Sequence, residues 1–75
     1  MDPTRVAVIG CGAIANGGHL PAYRAAAAAG LCQLVGVCDV DRARAQQTAG
    51  QYGVTPFERA EDLLAQTRPE VVSIT

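Results

Sequence analysis

Two short groups of residues in this chain can do chemistry together. One is the turn Gly10-Cys11-Gly12-Ala13-Ile14-Ala15, which follows the apolar run Arg5-Val6-Ala7-Val8-Ile9 and opens a helical segment. The other is Asp39, which closes a second apolar run, Leu34-Val35-Gly36-Val37-Cys38. Gly10 lets the chain reverse sharply at the strand end, because it has no Cβ to clash. A side chain at Gly12 would hold the backbone away from a pyrophosphate, so hydrogen there permits close approach. Ala15 is small enough for the helix to pack on the strand, and the pattern G-x-G-x-x-[GA] allows Gly or Ala at that position. The helix from about Ala13 aims free N–H groups and its positive dipole end at the phosphates, so the loop needs no Lys or Arg and contains none. These parts predict a dinucleotide site, with Gly10, Gly12, Ala13, Ile14 and Ala15 around the pyrophosphate.

Asp39 follows Ala15 at close to the separation that such sites use, ~20 residues. A carboxylate there accepts both hydroxyls of an adenosine ribose and repels a 2′-phosphate, which favours NAD over NADP. Arg42 keeps NADP open, since an Arg just past the acid can receive that phosphate; its plainer role is a solvated residue in the first turn of the next helix. A tight turn in a domain that binds nothing would account for the glycines. It would not account for an acid at the end of the second strand, although acids also cap helices there.

The elements that must position these residues can be read along the chain. Strands are expected at about Thr4 to Gly10, Gln33 to Cys38, Val54 to Phe57 and Val71 to Thr75. The first helix starts near Ala13 and is irregular. Asn16, Gly17 and Gly18 are poor helix formers and Pro21 has no N–H for the carbonyl of Gly17, so a kink or break is expected before a firm helix from Tyr23 to Ala29, closed by Gly30. Asp41 is the expected N-cap of a second helix, Arg42 to Tyr52, with Gly53 as its stop. A third helix is expected at about Arg59 to Gln66, with Leu63 and Leu64 facing in. Pro56 belongs on a sheet edge, which agrees with strand order 3-2-1-4. The fold class is therefore α/β: a partial doubly wound parallel sheet of Rossmann type, a βαβαβαβ fragment with its crevice where the strand order reverses. Thr75 would stand on the far wall of that crevice.

Size and composition bound the rest. The chain has 75 residues, 49% hydrophobic but only 4% aromatic, so its core is thin. A net charge of −1 gives no reason to expect nucleic acid or a membrane surface as partner, and no apolar stretch is long enough to span a bilayer. Met1-Asp2-Pro3-Thr4 leads directly into a strand, which predicts no leader. Cys11, Cys32 and Cys38 have no C-x-x-C spacing, and with a single His no metal site is expected. They read as small apolar residues in a reducing cytoplasm, although Cys11 and Cys38 end adjacent strands and leave a redox pair open. His19 suits proton transfer by its ordinary pKa, but no carboxylate neighbour is identifiable, and a packing or capping role in the irregular helix is the plainer expectation.

With these residues placed, the sequence resembles the start of the glucose-fructose oxidoreductase, inositol dehydrogenase and rhizopine-catabolism family (Gfo/Idh/MocA). The resemblance rests on Val6-Ala7-Val8-Ile9-Gly10-Cys11-Gly12-Ala13-Ile14-Ala15, His19-Leu20-Pro21-Ala22-Tyr23, Val37-Cys38-Asp39, Tyr52-Gly53-Val54, Leu63-Leu64 and Val71-Val72-Ser73-Ile74-Thr75, nearly the whole chain. It implies an N-terminal cofactor domain, of which residues 1–75 would be the first part, with the C-terminal substrate domain absent. It implies an NAD(P)-dependent oxidoreductase acting on a sugar, cyclitol or similar alcohol. It carries over Gly10, Gly12, Ala13, Ile14 and Ala15 as pyrophosphate-loop positions, Asp39 as the ribose acid and Thr75 as a contact near the cofactor. The family's Glu-Lys-Pro segment and its catalytic acid and His find no counterpart here; the chain has no Lys, so no catalytic residue is assigned and the chain alone is expected to be inactive.

Two other functions remain open at this point. One is a nucleotide-binding module or truncated product that binds NAD without turnover. The other is a methyltransferase, since a glycine turn and a strand-end acid can also hold S-adenosylmethionine, although Ile14-Ala15 opening a helix suits pyrophosphate better. The oligomeric state is left open too, a homo-oligomer included.

Overall fold

The computed structural model describes residues 2–75. Four parallel strands, β1 (Thr4–Ile9), β2 (Cys32–Cys38), β3 (Thr55–Phe57) and β4 (Val71–Ile74), form one sheet in the order β3-β2-β1-β4. Pro56 sits on β3, the outermost strand, where a residue without an N–H costs no interior ladder bond. The chain is the expected Rossmann-type α/β arrangement, with the order reversing between β1 and β4.

The first helical segment is continuous. A π-helical turn, Ala15–His19, runs straight into α1 (Leu20–Ala28). No break precedes Pro21; the irregularity expected between Asn16 and Pro21 takes the form of this π turn. The N–H of Leu20 reaches back five residues to the carbonyl of Ala15, so the helix widens by one residue and passes the glycine pair and the proline without stopping. Gly30, at φ 78°, closes it. The second helix, α2 (Arg42–Tyr52), begins where Asp41 accepts the Arg44 N–H at 3.2 Å and ends at Gly53 in the left-handed region, both as read from the sequence. The third, α3 (Ala60–Thr67), buries Leu63 fully but leaves Leu64 exposed, so only the first of the two leucines faces in. Arg5 supports its end by donating from its guanidinium to the carbonyls of Thr67 and Arg68.

The sheet has a core on each face. Val8, Cys11, Ala15, Leu20, Val37 and Ala49 pack on the side covered by α1 and α2; Ala7, Cys38, Phe57 and Leu63 pack under α3. The β1–β2 register shifts between Val6 and Ala7, so one extra β2 residue, Val35, is accommodated before Gly36. That bulge lets Leu34 and Val37, an odd number of residues apart, serve the same face. The strand C-termini, and with them the crevice at the order reversal, lie at Ile9, Cys38, Phe57 and Ile74.

Candidate functional site

The two glycines of the turn answer different demands. Gly10 has φ 99°, and its N–H donates to the carbonyl of Cys38 at 2.7 Å. A Cβ there would lie 2.5 Å from Thr75 Oγ1 and 2.8 Å from the Thr75 carbonyl oxygen, so the protein itself requires glycine. A Cβ on Gly12 would meet no heavy atom within 4 Å. Nothing in the protein excludes a side chain at that position; what glycine leaves there is a bare backbone facing open space. Thr75, expected across the crevice, touches the turn directly. Its N–H donates to Ile9 O at 2.9 Å and its hydroxyl to Gly10 O at 2.9 Å.

Among the described residues, the N–H groups of Gly12, Ala13 and Ile14 donate to no protein group, as the start of a helix dictates. Ala13 and Ile14 are exposed. Ala15 differs from them: it is fully buried in the core beside the strand face, where its small side chain packs.

Asp39 stands at the end of β2 and holds the turn as well as lying beside it. Its Oδ2 accepts the Cys11 N–H at 2.8 Å, and its Oδ1 accepts the Asp41 N–H at 2.8 Å. Those two amides, the Cys11 one foremost, with help from the positive charge of Arg44, hold its carboxyl below the usual carboxylate range against a small opposing effect of burial. Each oxygen retains a lone pair for a further donor. Three free amides, a bare backbone at Gly12 and an ionised carboxylate with spare acceptors fit a pyrophosphate and its adjoining ribose.

Other residues take places that the sequence did not disclose. Arg42 pairs with Glu58 at 3.3 Å in an exposed ion pair, and Arg44 is the cation whose charge acts on Asp39. Asn16, read only as a poor helix former, donates from Nδ2 to Cys11 O at 2.8 Å and to Gly12 O at 3.2 Å, and lies 3.5 Å from Thr48 Oγ1. An Asn in a first helical turn is the type of side chain that bonds nearby backbone, and that was the available signal. His19 is exposed and makes no side-chain capping bond, so it neither packs nor caps as expected. Cys11 and Cys38 pack in different core clusters, both as free thiols, with the Cys11 thiol donating to the Cys38 carbonyl at 3.5 Å; burial raises both thiol pKa values. A cleft of about 250 Å³ lined by Cys11, Asn16, Arg44, Gln47, Thr48 and Gln51 flanks the turn. A separate hollow of about 460 Å³ along the β3 edge contains no turn residue.

A family model described as an oxidoreductase family with an NAD-binding Rossmann fold matches residues 4–75. The chain belongs to the Gfo/Idh/MocA family. Solved structures agree with that membership. The WlbA dehydrogenase of Chromobacterium violaceum, in complex with NADH and UDP-GlcNAcA, is 33% identical with a TM-score of 0.90, over 100% of this chain and 21% of its own. The Bordetella pertussis WlbA dehydrogenase, with the same two ligands, is 27% identical with a TM-score of 0.85, over 97% of this chain and 21% of its own. A variant of KijD10, a 3-ketoreductase from Actinomadura kijaniata in complex with TDP-benzene and NADP, is 30% identical with a TM-score of 0.83, over 96% of this chain and 22% of its own. No curated protein matches. This Gfo/Idh/MocA chain thus spans about a fifth of the length of its solved relatives and carries the family's NAD-binding Rossmann fold. None of its described helices is long and apolar enough to cross a membrane.

Proposed function

We propose that this chain is the cofactor-binding part of an NAD(P)-dependent dehydrogenase or reductase acting on a sugar, cyclitol or similar alcohol. The observation that carries the reading is the set of free N–H groups at Gly12, Ala13 and Ile14, in a turn that the ionised Asp39 carboxylate holds at the Cys11 amide. Bound there, the nicotinamide cofactor supplies the hydride acceptor or donor. The residues of the chain bind and orient it. The three amides and the helix dipole attract the pyrophosphate, and Gly12 lets it approach. Asp39 takes the ribose hydroxyls and disfavours a 2′-phosphate, which makes NAD the preferred cofactor. Gly10 and Thr75 keep the turn in shape, and Ala15 seats its helix.

The substrate class is supported by relatives crystallised with nucleotide-linked ligands, UDP-GlcNAcA among them. Substrate binding and turnover belong to the whole protein, for which residues 1–75 serve as the start of the dinucleotide-binding domain. Three free cysteines suit a cytoplasmic setting. Titration of the chain with NADH, NADPH and S-adenosylmethionine tests the assignment: NADH binds best and S-adenosylmethionine does not bind. Saturable S-adenosylmethionine binding without NADH binding would sink it.

A second reading is binding of NAD without turnover by these 75 residues. Incubation with NAD and a panel of polyols then yields no NADH absorbance.

A further inference from the structure

We propose that Asn16 is a positioning residue that aims the turn's amides at the pyrophosphate. The inference rests on the reading of that turn as a pyrophosphate site and names the side chain that sets its shape. Nδ2 of Asn16 donates to the carbonyls of two successive peptides, Cys11 O at 2.8 Å and Gly12 O at 3.2 Å. Each of those peptides is a rigid trans plane, so its carbonyl and the N–H that follows point in opposite directions. Fixing the Cys11 carbonyl inward therefore turns the Gly12 N–H outward. Fixing the Gly12 carbonyl does the same for the Ala13 N–H. These are two of the three amides without a protein partner.

The preceding peptide is held from the other side, because the Cys11 N–H donates to Asp39 Oδ2 at 2.8 Å. Cys11 is thus clamped at both of its backbone polar groups by side chains from different elements. Glycine on either side gives the turn freedom that the clamp removes. The anchor itself is fixed: the Asn16 N–H donates to Gly12 O at 3.0 Å, and its amide nitrogen lies against Thr48 Oγ1, whose residue is buried on α2. Two carbonyls can be served only by a donor, so the amide nitrogen is the group the site needs, and a carboxylate of the same shape would place oxygen against oxygen.

The test compares ADP-ribose, which carries a pyrophosphate, with adenosine, which does not, on the unaltered chain and on Asn16→Ala, Asn16→Asp and Gln47→Ala. Gln47 lines the same cleft without bonding the turn. Asn16→Ala is expected to weaken ADP-ribose about tenfold, the scale of one lost hydrogen bond, and Asn16→Asp more. Adenosine affinity stays within about twofold for both, a difference on the order of the uncertainty between such measurements, and Gln47→Ala changes neither ligand. Amide hydrogen exchange accelerates at Gly10 and Cys11, whose N–H groups are bonded, in Asn16→Ala and not across β1 to β4. Should the variants fail to fold, the unaltered chain decides: the Asn16 side-chain amide protons exchange more slowly than those of Gln47. Equal exchange of the two, equal weakening of both ligands, or exchange raised throughout the sheet overturns the role. ADP-ribose that fails to bind the unaltered chain overturns the site reading and this inference with it; binding that Asn16→Ala leaves intact overturns this inference alone.

Discussion

Asp39 Oδ2 accepts the N–H of Cys11 at 2.8 Å, so the carboxylate expected to hold a ribose also ties the end of β2 to the middle of the glycine turn. Its second oxygen holds the Asp41 N–H at the entry to α2. Replacing it by Ala removes both bonds. Bonds to a charged acceptor contribute about 1.5–3 kcal/mol each before relaxation, so Asp39→Ala is expected to lose ~1–3 kcal/mol of stability and to weaken NADH binding by at least about tenfold. Asp39→Asn keeps one acceptor for two donors and falls between. Thermal melts and NADH titrations check the pair; a variant as stable as the parent would show that the amides are served equally well by water.

The same geometry sets a pH dependence. The folded-state pKa of Asp39 is lowered, chiefly by the Cys11 amide. A group of this kind contributes stability that is present above its unfolded value, ~3.9, and is lost as pH falls through the folded value. The Asp39 carboxyl carbon is therefore expected to titrate in NMR with a midpoint below that of an unstructured Asp. The stability of Asp39→Asn should decline less on acidification than that of the parent. A midpoint at or above ~3.9 would remove the amide bonds from the account.

Gly10 and Gly12 separate folding from binding. Gly10→Ala places a methyl 2.5 Å from Thr75 Oγ1 at φ 99°, and strain of this kind costs ~1–3 kcal/mol or more, read as a lowered urea midpoint. Gly12→Ala meets no protein atom within 4 Å, so its midpoint stays near the parent's while NADH affinity falls. If Gly12→Ala binds NADH as tightly as the parent, no phosphate approaches that backbone.

Much of this arrangement is legible in the sequence because it is local or topological. The caps of α2 follow from Asp41 and Gly53 alone, and the edge position of β3 from Pro56 and the handedness of the crossovers. The π turn was hidden because Gly17, Gly18 and Pro21 signal a break equally well; only the shifted bond from Leu20 to Ala15 shows how the helix survives. The exposure of Leu64 depends on the rotation of α3, which adjacent leucines do not specify. The Asn16 clamp and the Arg42–Glu58 pair are side-chain choices between elements, beyond the reach of spacing.

Cys38 ends β2 and Cys11 lies in the turn just past β1, yet their side chains pack in different core clusters. Mild oxidation of the folded chain is therefore expected to leave its mass unchanged, with no intramolecular disulfide, and alkylation after unfolding to label three thiols. Burial raises both pKa values, so the protonated forms are favoured on folding. Their contribution to stability is complete below the unfolded value, ~8.5, and is lost as pH rises through the folded values. A Cys11–Cys38 disulfide found by peptide mapping would contradict the separate clusters.

β4 pairs with β1 and, among the described residues, with no other strand, and both Val71 and Ile74 on it are exposed. An unpaired edge of this kind adds little cooperative support, and one face of the sheet is covered by α3 alone. The buried side chains are mostly small; among the described residues the largest that are fully enclosed are Leu20, Leu63, Val8 and Val37. A thin core cannot offset chain entropy by a wide margin, so the 75-residue chain is expected to unfold with less than about 5 kcal/mol, the lower end of ordinary domains. A ligand that binds only the folded chain adds to that figure by mass action, about 2.7 kcal/mol at a hundred times Kd. Urea unfolding with and without NADH measures both quantities on one sample. A cooperative monomer transition well above ~5 kcal/mol without ligand would refute the marginal core, and no shift with saturating NADH would refute binding at the turn.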